Sequence, residues 1–174
     1  MRFLPDPGFA GDAGETQPAL AGALSRFAVD GAAGQVLEAL SSWDAPARLL
    51  IPVVASPGQV TPADGSTPHG AGGSEGDVST VLLRGRDGRR ALLAFTSLAA
   101  LTTWDASARP VPVSARTAAE AALAEGAAAL LVDVAGPVPF AVESAELAEL
   151  ARGHRLLETS VGYGWFADWS SPPA

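Results

Sequence analysis

Apolar positions along this chain follow the period of a helix in some stretches and that of a strand in others. Leu20, Leu24 and Phe27 are spaced four and three residues apart, which places them on one face of a helix that begins near residue 17. A second helix, after two glycines, has its apolar face at Val36, Leu37 and Leu40. The run RLLIPVVA at 48–55 is typical of a buried strand, and Pro52 within it predicts an edge position or a bend.

The clearest local pattern is a β-hairpin. Two runs with strand composition, 78–83 and 89–95, flank the turn sequence GRDG at 85–88. An Asp-Gly pair tolerates the positive φ angles that tight hairpin turns require. We therefore predict two antiparallel strands joined at Asp87 and Gly88.

Helices and short strands alternate after the hairpin. Thr96 or Ser97 has the position of a helix cap, and the spacing of Thr117 and Glu120 is that of a capping box. The remaining predicted segments are strands at 110–113, 129–134 and 140–142, and helices at 97–104, 117–126 and 144–153. These elements predict an α+β fold, a single compact domain in which helices pack on a mixed or mostly antiparallel sheet.

Composition divides the chain into three parts. Residues 1–16 are rich in glycine, proline and acidic residues, so we predict a flexible N-terminal tail. The domain is predicted over 17–155, and within it 56–77 has six glycines and three prolines among 22 residues, which favours a flexible loop. Residues 156–174 form an aromatic C-terminal tail.

Charge and composition argue against several classes of function. A net charge of −8 and a pI near 4.6 oppose binding to phosphate backbones, so we expect no nucleic-acid partner. The chain contains no cysteine, which excludes disulfides, thiol nucleophiles and thiolate metal sites. Its apolar runs fall short of the roughly 20 residues that a membrane-spanning helix needs, and its first six residues are too polar for a secretory signal. We expect a cytoplasmic protein with no membrane partner and no cofactor.

Residues suited to catalysis or metal binding are sparse. The two histidines, His69 and His154, lack the neighbouring ligands that a metal site needs. A Ser-His-Asp site would have to combine Ser97, His154 and Asp133, but a capping role already explains Ser97. Asp133 interrupts a buried strand, and we predict that it faces outward, since an inward carboxylate would need a partner such as an arginine. We predict no catalytic residue, no metal site and no enzymatic activity.

Two surfaces carry the candidate binding residues. Four arginines crowd the hairpin of an otherwise acidic protein, which is typical either of a patch for an anion or acidic partner or of a charged, soluble strand edge. Aromatic residues cluster near the C-terminus and are enriched in interfaces, although such a tail can also complete the core or add an edge strand. The predicted partner-binding residues are Arg84, Arg86, Arg89, Arg90, Tyr163, Trp165 and Trp169.

The order of these motifs resembles that of a known family. The motifs that carry the resemblance are LAFTS at 93–97, the helix ending at Trp104, PVPV at 110–113, LLVDV at 130–134, and Gly136 with Pro137. Over residues 17–155, outside 56–77, the chain is similar to actinobacterial members of the SseB family. The resemblance implies the fold and no defined biochemical activity, and the segment after Arg155 does not match the family's second, C-terminal domain.

These observations favour a binding module over an enzyme. We expect a non-enzymatic domain that binds a protein partner through the arginine hairpin and the aromatic tail. The alternative is a small-molecule or anion sensor that holds its ligand near Arg84–Arg90 and the helix start at Ser97, with a hydrolase as a third possibility. The identity of the partner and the oligomeric state are left open.

Overall fold

Helices and strands alternate over most of the chain. The computed structural model describes residues 9, 12–55 and 78–167, so the predicted loop 56–77 and Trp169 lie outside it. The helices are α1 (Pro18–Asp30), α2 (Gly34–Leu40), α3 (Leu98–Trp104), α4 (Ala115–Ala124) and α5 (Ser144–Ala151). The strands are β1 (Arg48–Ala55), β2 (Val78–Thr80), β3 (Leu82–Arg84), β4 (Arg90–Ala94), β5 (Arg109–Ser114), β6 (Ala129–Val132), β7 (Phe140–Glu143), β8 (Arg155–Thr159) and β9 (Gly162–Phe166). Ala55 and Val78, which border the segment 56–77, are register partners in β1 and β2.

Two sheets are joined by a short backbone contact between β1 and the end of β4. In the first, β1 lies between β2 and β5 and is antiparallel to both. The second has the order β3-β4-β6-β7, in which β4 and β6 are parallel and the other neighbours antiparallel. Leu50 of β1 and Phe95, just after β4, exchange two backbone hydrogen bonds of 2.7 and 2.9 Å. The sheets therefore continue into one another, and the predicted α+β fold with a mixed sheet is confirmed.

Pro52 lies in a central strand and not at the predicted edge. The N–H of Leu50 points toward Phe95 and away from β5, and the two-residue period of a strand directs the nitrogen of Pro52 to the same side. Beyond Pro52, the neighbour of β1 on that side is β2, whose pairing begins at Val53. On this side, β1 bonds to Phe95 at Leu50 and pairs with β2 from Val53 onward. Pro52 lies between these two pairings, so its missing N–H interrupts neither of them.

One face of the second sheet carries the main core. Leu92, Leu130 and Val142 are register partners across β4, β6 and β7. Their side chains are buried against α1, α2, α4 and α5. The alanines of α4 that face the sheet are fully buried, and their small side chains let this helix pack close to the strands. The alternation of apolar positions thus directs one side of each strand to the helices.

The opposite face of this sheet is covered at one end. Leu93 and Phe95 form a second, smaller core with Leu101 and Trp104 of α3, and the rings of Phe95 and Trp104 have centroids 5.6 Å apart. Toward the hairpin between β3 and β4, the surface of this face is lined by residues of strands and turns and by none of a described helix, and Ala141 of β7 is exposed. This uncovered end is the basis of the groove described below.

Side-chain caps mark the start of two helices, α3 and α4. Ser97 caps α3 by accepting the N–H of Ala100 at 3.1 Å, which confirms one of the two predicted alternatives. The predicted capping box at Thr117 is wrong, because Ser114 accepts the N–H of Thr117 at 3.1 Å and the cap of α4 therefore lies three residues earlier than expected. Among the described residues, no helix has the length and apolar character to cross a bilayer.

The C-terminal segment 156–174 begins as part of the domain. The strands β8 and β9 form an antiparallel hairpin. Leu156 is buried in the main core, and its N–H donates to the hydroxyl of Ser41 at 2.9 Å. Trp165 of β9 packs against the same core from its edge. The first half of the predicted aromatic tail therefore completes the core, which is the structural alternative considered for it.

The N-terminal segment also contacts the domain. The sequence predicts a flexible tail over 1–16, of which the structure describes Phe9 and residues 12–16. The N–H of Leu98 donates to the carbonyl of Gly14 at 2.7 Å. Asp12 forms an ion pair with Arg48, a side chain only 2% exposed. Residues 12–16 thus belong to the packed domain, because a buried arginine needs the acceptors that they supply.

Candidate functional site

The arginine-rich hairpin has the predicted tight turn. The N–H of Gly85 donates to the carbonyl of Arg89 at 2.8 Å, and the carboxylate of Asp87 accepts the N–H of Arg89 at 3.0 Å. Gly88 has a φ of 82°, the left-handed conformation that favours glycine. Arg84 and Arg90 lie directly opposite each other in the two strands. The predicted hairpin is therefore confirmed for 82–84 and 90–92, whereas 78–80, predicted as part of its first strand, pairs with β1.

The four hairpin arginines are exposed and are distributed over both sides of the sheet. Arg90 shares the helix-covered side with Leu92, and its guanidinium lies 3.5 Å from the carbonyl of Gly126. Arg89 lies on the opposite side, with Nη1 3.9 Å from a carboxylate oxygen of Glu143. Both members of this pair are about half exposed, so the pair itself contributes little stability. The arginines surround the end of the sheet and do not form a flat patch on one face.

A shallow groove lies on the uncovered end of the second sheet, beside the hairpin. We call it the sheet-face groove; its volume is about 290 Å³. Its floor consists of small or aliphatic side chains: Leu83, Ala91, Ala129, Leu131 and Ala141. The lining also includes five charged residues: Arg84, Asp87, Arg89, Arg90 and Glu143. Arg89 and Glu143 lie on the side of the sheet that carries the groove, whereas Arg84 and Arg90 alternate to the helix-covered side. The sequence analysis missed the floor; the alternation of large apolar residues with Ala141 and Glu143 in β7 indicates that one side of this strand is exposed, but not that a groove lies there.

The aromatic residues of β9 lie apart from this groove. The ring of Tyr163 occupies the space next to Gly34, at the start of α2, so β9 packs on the helical side of the domain. Trp165 is half-buried against the main core, whereas Phe166 is 43% exposed. The structure therefore does not join the hairpin arginines and the tail aromatics into one surface, and Trp169 lies outside the described residues.

A buried polar network connects the ends of β4 and β6. Asp133 is 5% exposed, so the prediction that it faces outward is wrong. Its carboxylate accepts the N–H of Thr96 at 2.8 Å and the hydroxyl of Thr96 at 2.6 Å. A φ of 52° at Asp133 turns the chain out of β6, so the side chain reaches the neighbouring parallel strand. Burial raises the pKa of Asp133, and the hydrogen bonds from Thr96 oppose that increase.

Thr96 also joins this network to Arg48. Its carbonyl accepts a guanidinium N–H of Arg48 at 2.8 Å, and its hydroxyl lies 2.8 Å from that of Thr16. The Nε of Arg48 lies 2.6 Å from the carboxylate of Asp12, and a second guanidinium nitrogen donates to the carbonyl of Glu15. Arginine is therefore present in the network, but Asp12 is its charged partner and Asp133 is not.

An open cleft of about 440 Å³ lies at this end of the sheet. It is bounded by α1, α3 and the turn 133–138, and it contains the carboxyl ends of the parallel strands β4 and β6. In open sheets, such crevices outside the carboxyl ends of strands are common ligand sites. We call it the Asp133 cleft; Thr96 and Ser97 also contribute to its lining.

The cleft does not assemble the Ser-His-Asp site considered from the sequence. The hydroxyl of Ser97 caps α3. His154 lines a different pocket, of about 530 Å³, where its Nδ1 contacts Glu149 and the indole N–H of Trp43 donates to Gly153 at 3.0 Å. His69 lies outside the described residues, and within them no cluster of three histidine, aspartate or glutamate side chains is placed to hold a metal ion.

One known family matches this arrangement of elements. The match is to the SseB protein N-terminal domain and spans residues 20–149, most of the chain. The chain belongs to the SseB family. No curated protein and no solved structure matches it. The matched SseB region includes the hairpin, the sheet-face groove and Asp133, and it ends within α5, before the aromatic strand β9.

Proposed function

We propose that this SseB domain is a non-enzymatic protein-interaction module that binds an acidic segment of a partner protein in the sheet-face groove. The observation that supports this proposal is the uncovered apolar end of the sheet beside four exposed arginines. Interfaces typically combine an apolar centre with a polar rim, and the groove has this composition. The proposed location is the cytoplasm, because a chain without cysteine cannot form the disulfides that an oxidising compartment favours.

The charge of the groove border defines the chemistry of the partner. Three arginines and two carboxylates are among the lining residues, and Arg86 adds a fourth positive charge at the tip of the hairpin. The whole protein carries a net charge of −8, so this end is locally opposite in sign to the rest. Arginine binds carboxylates with paired, charge-assisted hydrogen bonds. An acidic segment with one apolar side chain would place its carboxylates near the arginines and that side chain on the apolar floor of the groove.

The cross-strand pair of Arg84 and Arg90 supports a binding role. Like charges directly opposite each other in two strands reduce the stability of a hairpin. The stability of the hairpin by itself does not favour two arginines at these positions. Their presence is explained if both contribute to the attraction of an acidic partner.

Site-specific photo-crosslinking tests this proposal. A photoreactive phenylalanine analogue would replace Leu83 or Ala141 in the groove, or Val29 or Val161 as controls that are 89% and 96% exposed. We expect a partner protein to crosslink at the groove positions and not at the controls. Equal crosslinking at all four positions, or none at the groove, would overturn the proposal.

A charge-reversal pair then tests the role of the arginines. With the crosslinked partner purified, the Arg86→Glu/Arg89→Glu variant is expected to bind at least about tenfold more weakly. The Arg26→Glu/Arg109→Glu variant makes the same change in net charge at two exposed positions outside the groove, and we expect it to retain most of the affinity. Equal losses in the two variants would indicate a general charge effect and no specific role for the hairpin.

A further inference from the structure

The Asp133 cleft has the features of a second binding site, independent of the sheet-face groove. It lies at the carboxyl ends of the parallel strands, whereas the groove lies beside the hairpin that precedes β4. We propose that the Asp133 cleft binds a small molecule that carries a primary ammonium group on a short apolar body. The ammonium would pair with the carboxylate of Asp133.

The carboxylate has acceptor capacity that its protein partner does not use. An ionised carboxylate offers about four lone-pair positions, and Thr96 occupies one on each oxygen. Within residues 9, 12–55 and 78–167, no arginine or histidine forms an ion pair with Asp133. A buried carboxylate without a charge partner is costly, and a ligand cation entering the cleft would remove that cost.

Hydroxyl groups near the carboxylate fit an ammonium ligand. Thr96 donates its hydroxyl to Asp133, so the hydroxyl of Thr16, 2.8 Å away, is the donor in their contact. Thr16, Ser25 and Thr103 line the same cleft. An ammonium group has three donors, and it can use a carboxylate and a hydroxyl oxygen together.

The apolar walls define the rest of the ligand. Leu24, Ala99 and Val138 line the cleft together with the polar groups. A cavity of about 440 Å³ is in the range of small-molecule sites, so it accepts a ring or a short aliphatic chain next to the ammonium. A metal ion is a poorer fit, because Asp133 is the single carboxylate among the described residues that line the cleft.

The test uses the full chain labelled with ¹⁵N and three probes of one shape. Benzylamine carries the cation, benzyl alcohol is its neutral counterpart and benzoate is its anion. We expect saturable shifts of the backbone amides of Ser97 and Gly136 with benzylamine, with a dissociation constant on the order of 1 mM or below. Benzyl alcohol or benzoate binding as tightly as benzylamine would overturn the proposal.

A capped lysine identifies the source of the ammonium group. Nα-acetyl-lysine methylamide has the same cation on a protein side chain. Tighter binding of benzylamine supports a free amine as the ligand. Equal or tighter binding of the capped lysine would overturn the small-molecule assignment and point to a lysine of a partner.

Variants separate the role of Asp133 from a general loss of structure. Asp133→Asn removes the charge and keeps one of the two acceptor oxygens that Thr96 uses, and we expect at least about tenfold weaker binding of benzylamine. Ala99→Phe fills the cleft and should abolish binding, whereas Thr102→Phe places the same ring on α3 outside the cleft lining and should not. If both Asp133→Asn and Ala99→Phe bound benzylamine with unchanged affinity, the proposal would be wrong. Two variants are used because one of them alone could be unstable.

Discussion

Thr96 donates both its backbone N–H and its hydroxyl to the carboxylate of Asp133, at 2.8 and 2.6 Å. The two residues follow the parallel strands β4 and β6, so their hydrogen bonds extend the pairing of those strands beyond the last backbone partners. The carbonyl of Thr96 accepts from Arg48 in the first sheet. One threonine therefore connects both sheets through buried polar groups, and three of the following predictions concern stability that depends on such contacts.

Removal of the Thr96 hydroxyl should destabilise the protein. Thr96→Val keeps the shape of the side chain but leaves one oxygen of Asp133 without its donor, so we expect a loss of about 2 kcal/mol in the free energy of unfolding. Thr96→Ser retains the hydroxyl and should lose less than about 1 kcal/mol. Urea denaturation measures both, and equal losses would show that the methyl group contributes as much stability as the hydrogen bond.

Asp133 should make stability depend on pH in a defined direction. Its pKa is raised above the ordinary value of 3.8 by burial, so between that value and the raised one the folded state binds more protons than the unfolded state. The stability contributed by the protonated form is fully present below about pH 3.8 and is lost as the pH rises through the raised pKa. Asp133→Asn lacks this titration.

The comparison of wild type with Asp133→Asn isolates that effect. We expect the free energy of unfolding of the wild type, relative to the variant, to fall as the pH is raised from 3.5 to 7. Other carboxylates titrate in both proteins and cancel in the difference. A difference that grows with pH would mean that the hydrogen bonds from Thr96 outweigh desolvation.

Arg48 should be among the side chains on which stability depends most. It is 2% exposed and bonds to Thr96, Asp12 and Glu15. Arg48→Met keeps much of the volume but leaves two carbonyls and a partly buried carboxylate without their donor, so we expect a loss of about 3 kcal/mol. Chemical denaturation tests this, with Arg109→Met as the exposed control. Similar stability of the two variants would contradict a structural role for the N-terminal segment.

Trp165 should behave as a core residue and not as a contact for a partner. Its half-buried ring packs against the main core, so Trp165→Ala should reduce the free energy of unfolding by about 2–3 kcal/mol. Phe166→Ala, on the more exposed side of β9, should cost less than about 1 kcal/mol. A stable Trp165→Ala variant that loses its partner would restore the binding role predicted for this residue.

The hairpin arginines should improve binding at the expense of stability. Arg84→Thr removes a like-charge contact with Arg90 and adds a residue with high strand propensity, so we expect a gain of about 0.5 kcal/mol in stability. The same variant should bind the crosslinked partner more weakly. Arg26→Thr, on the exposed surface of α1, is the matched control for the charge change. A variant that gains stability without losing affinity would argue against the proposed function.

Local patterns predicted most of the elements of this fold. The hairpin was predictable because Asp87 and Gly88 leave few alternatives to a tight turn. Strand β1 was predicted with the observed bounds, since an apolar run of this length next to turn residues has few other conformations. The parallel pairing of β4 and β6 was not predicted, because the choice of strand neighbours depends on how helices cover the sheet and not on the strands alone.

The polar interior was harder to predict for a related reason. Asp133 and Arg48 both interrupt or border apolar runs, and charged residues at such positions usually face solvent. Their burial depends on partners that are distant in the sequence, at Thr96 and Asp12. The sheet-face groove was missed because it results from the uncovered end of a sheet, which is visible only when the position of α3 is known.

The pairing of Ala55 with Val78 brings the two ends of the segment 56–77 together on adjacent strands. Paired strand residues have Cα atoms about 5 Å apart, so the sheet itself fixes the two attachment points. The entropic cost of closing a flexible connection grows only with the logarithm of its length, at about 0.6 kcal/mol for each doubling. This position is therefore suited to grafting: a fluorescent reporter or a second recognition domain inserted there would be attached to two adjacent, paired strands.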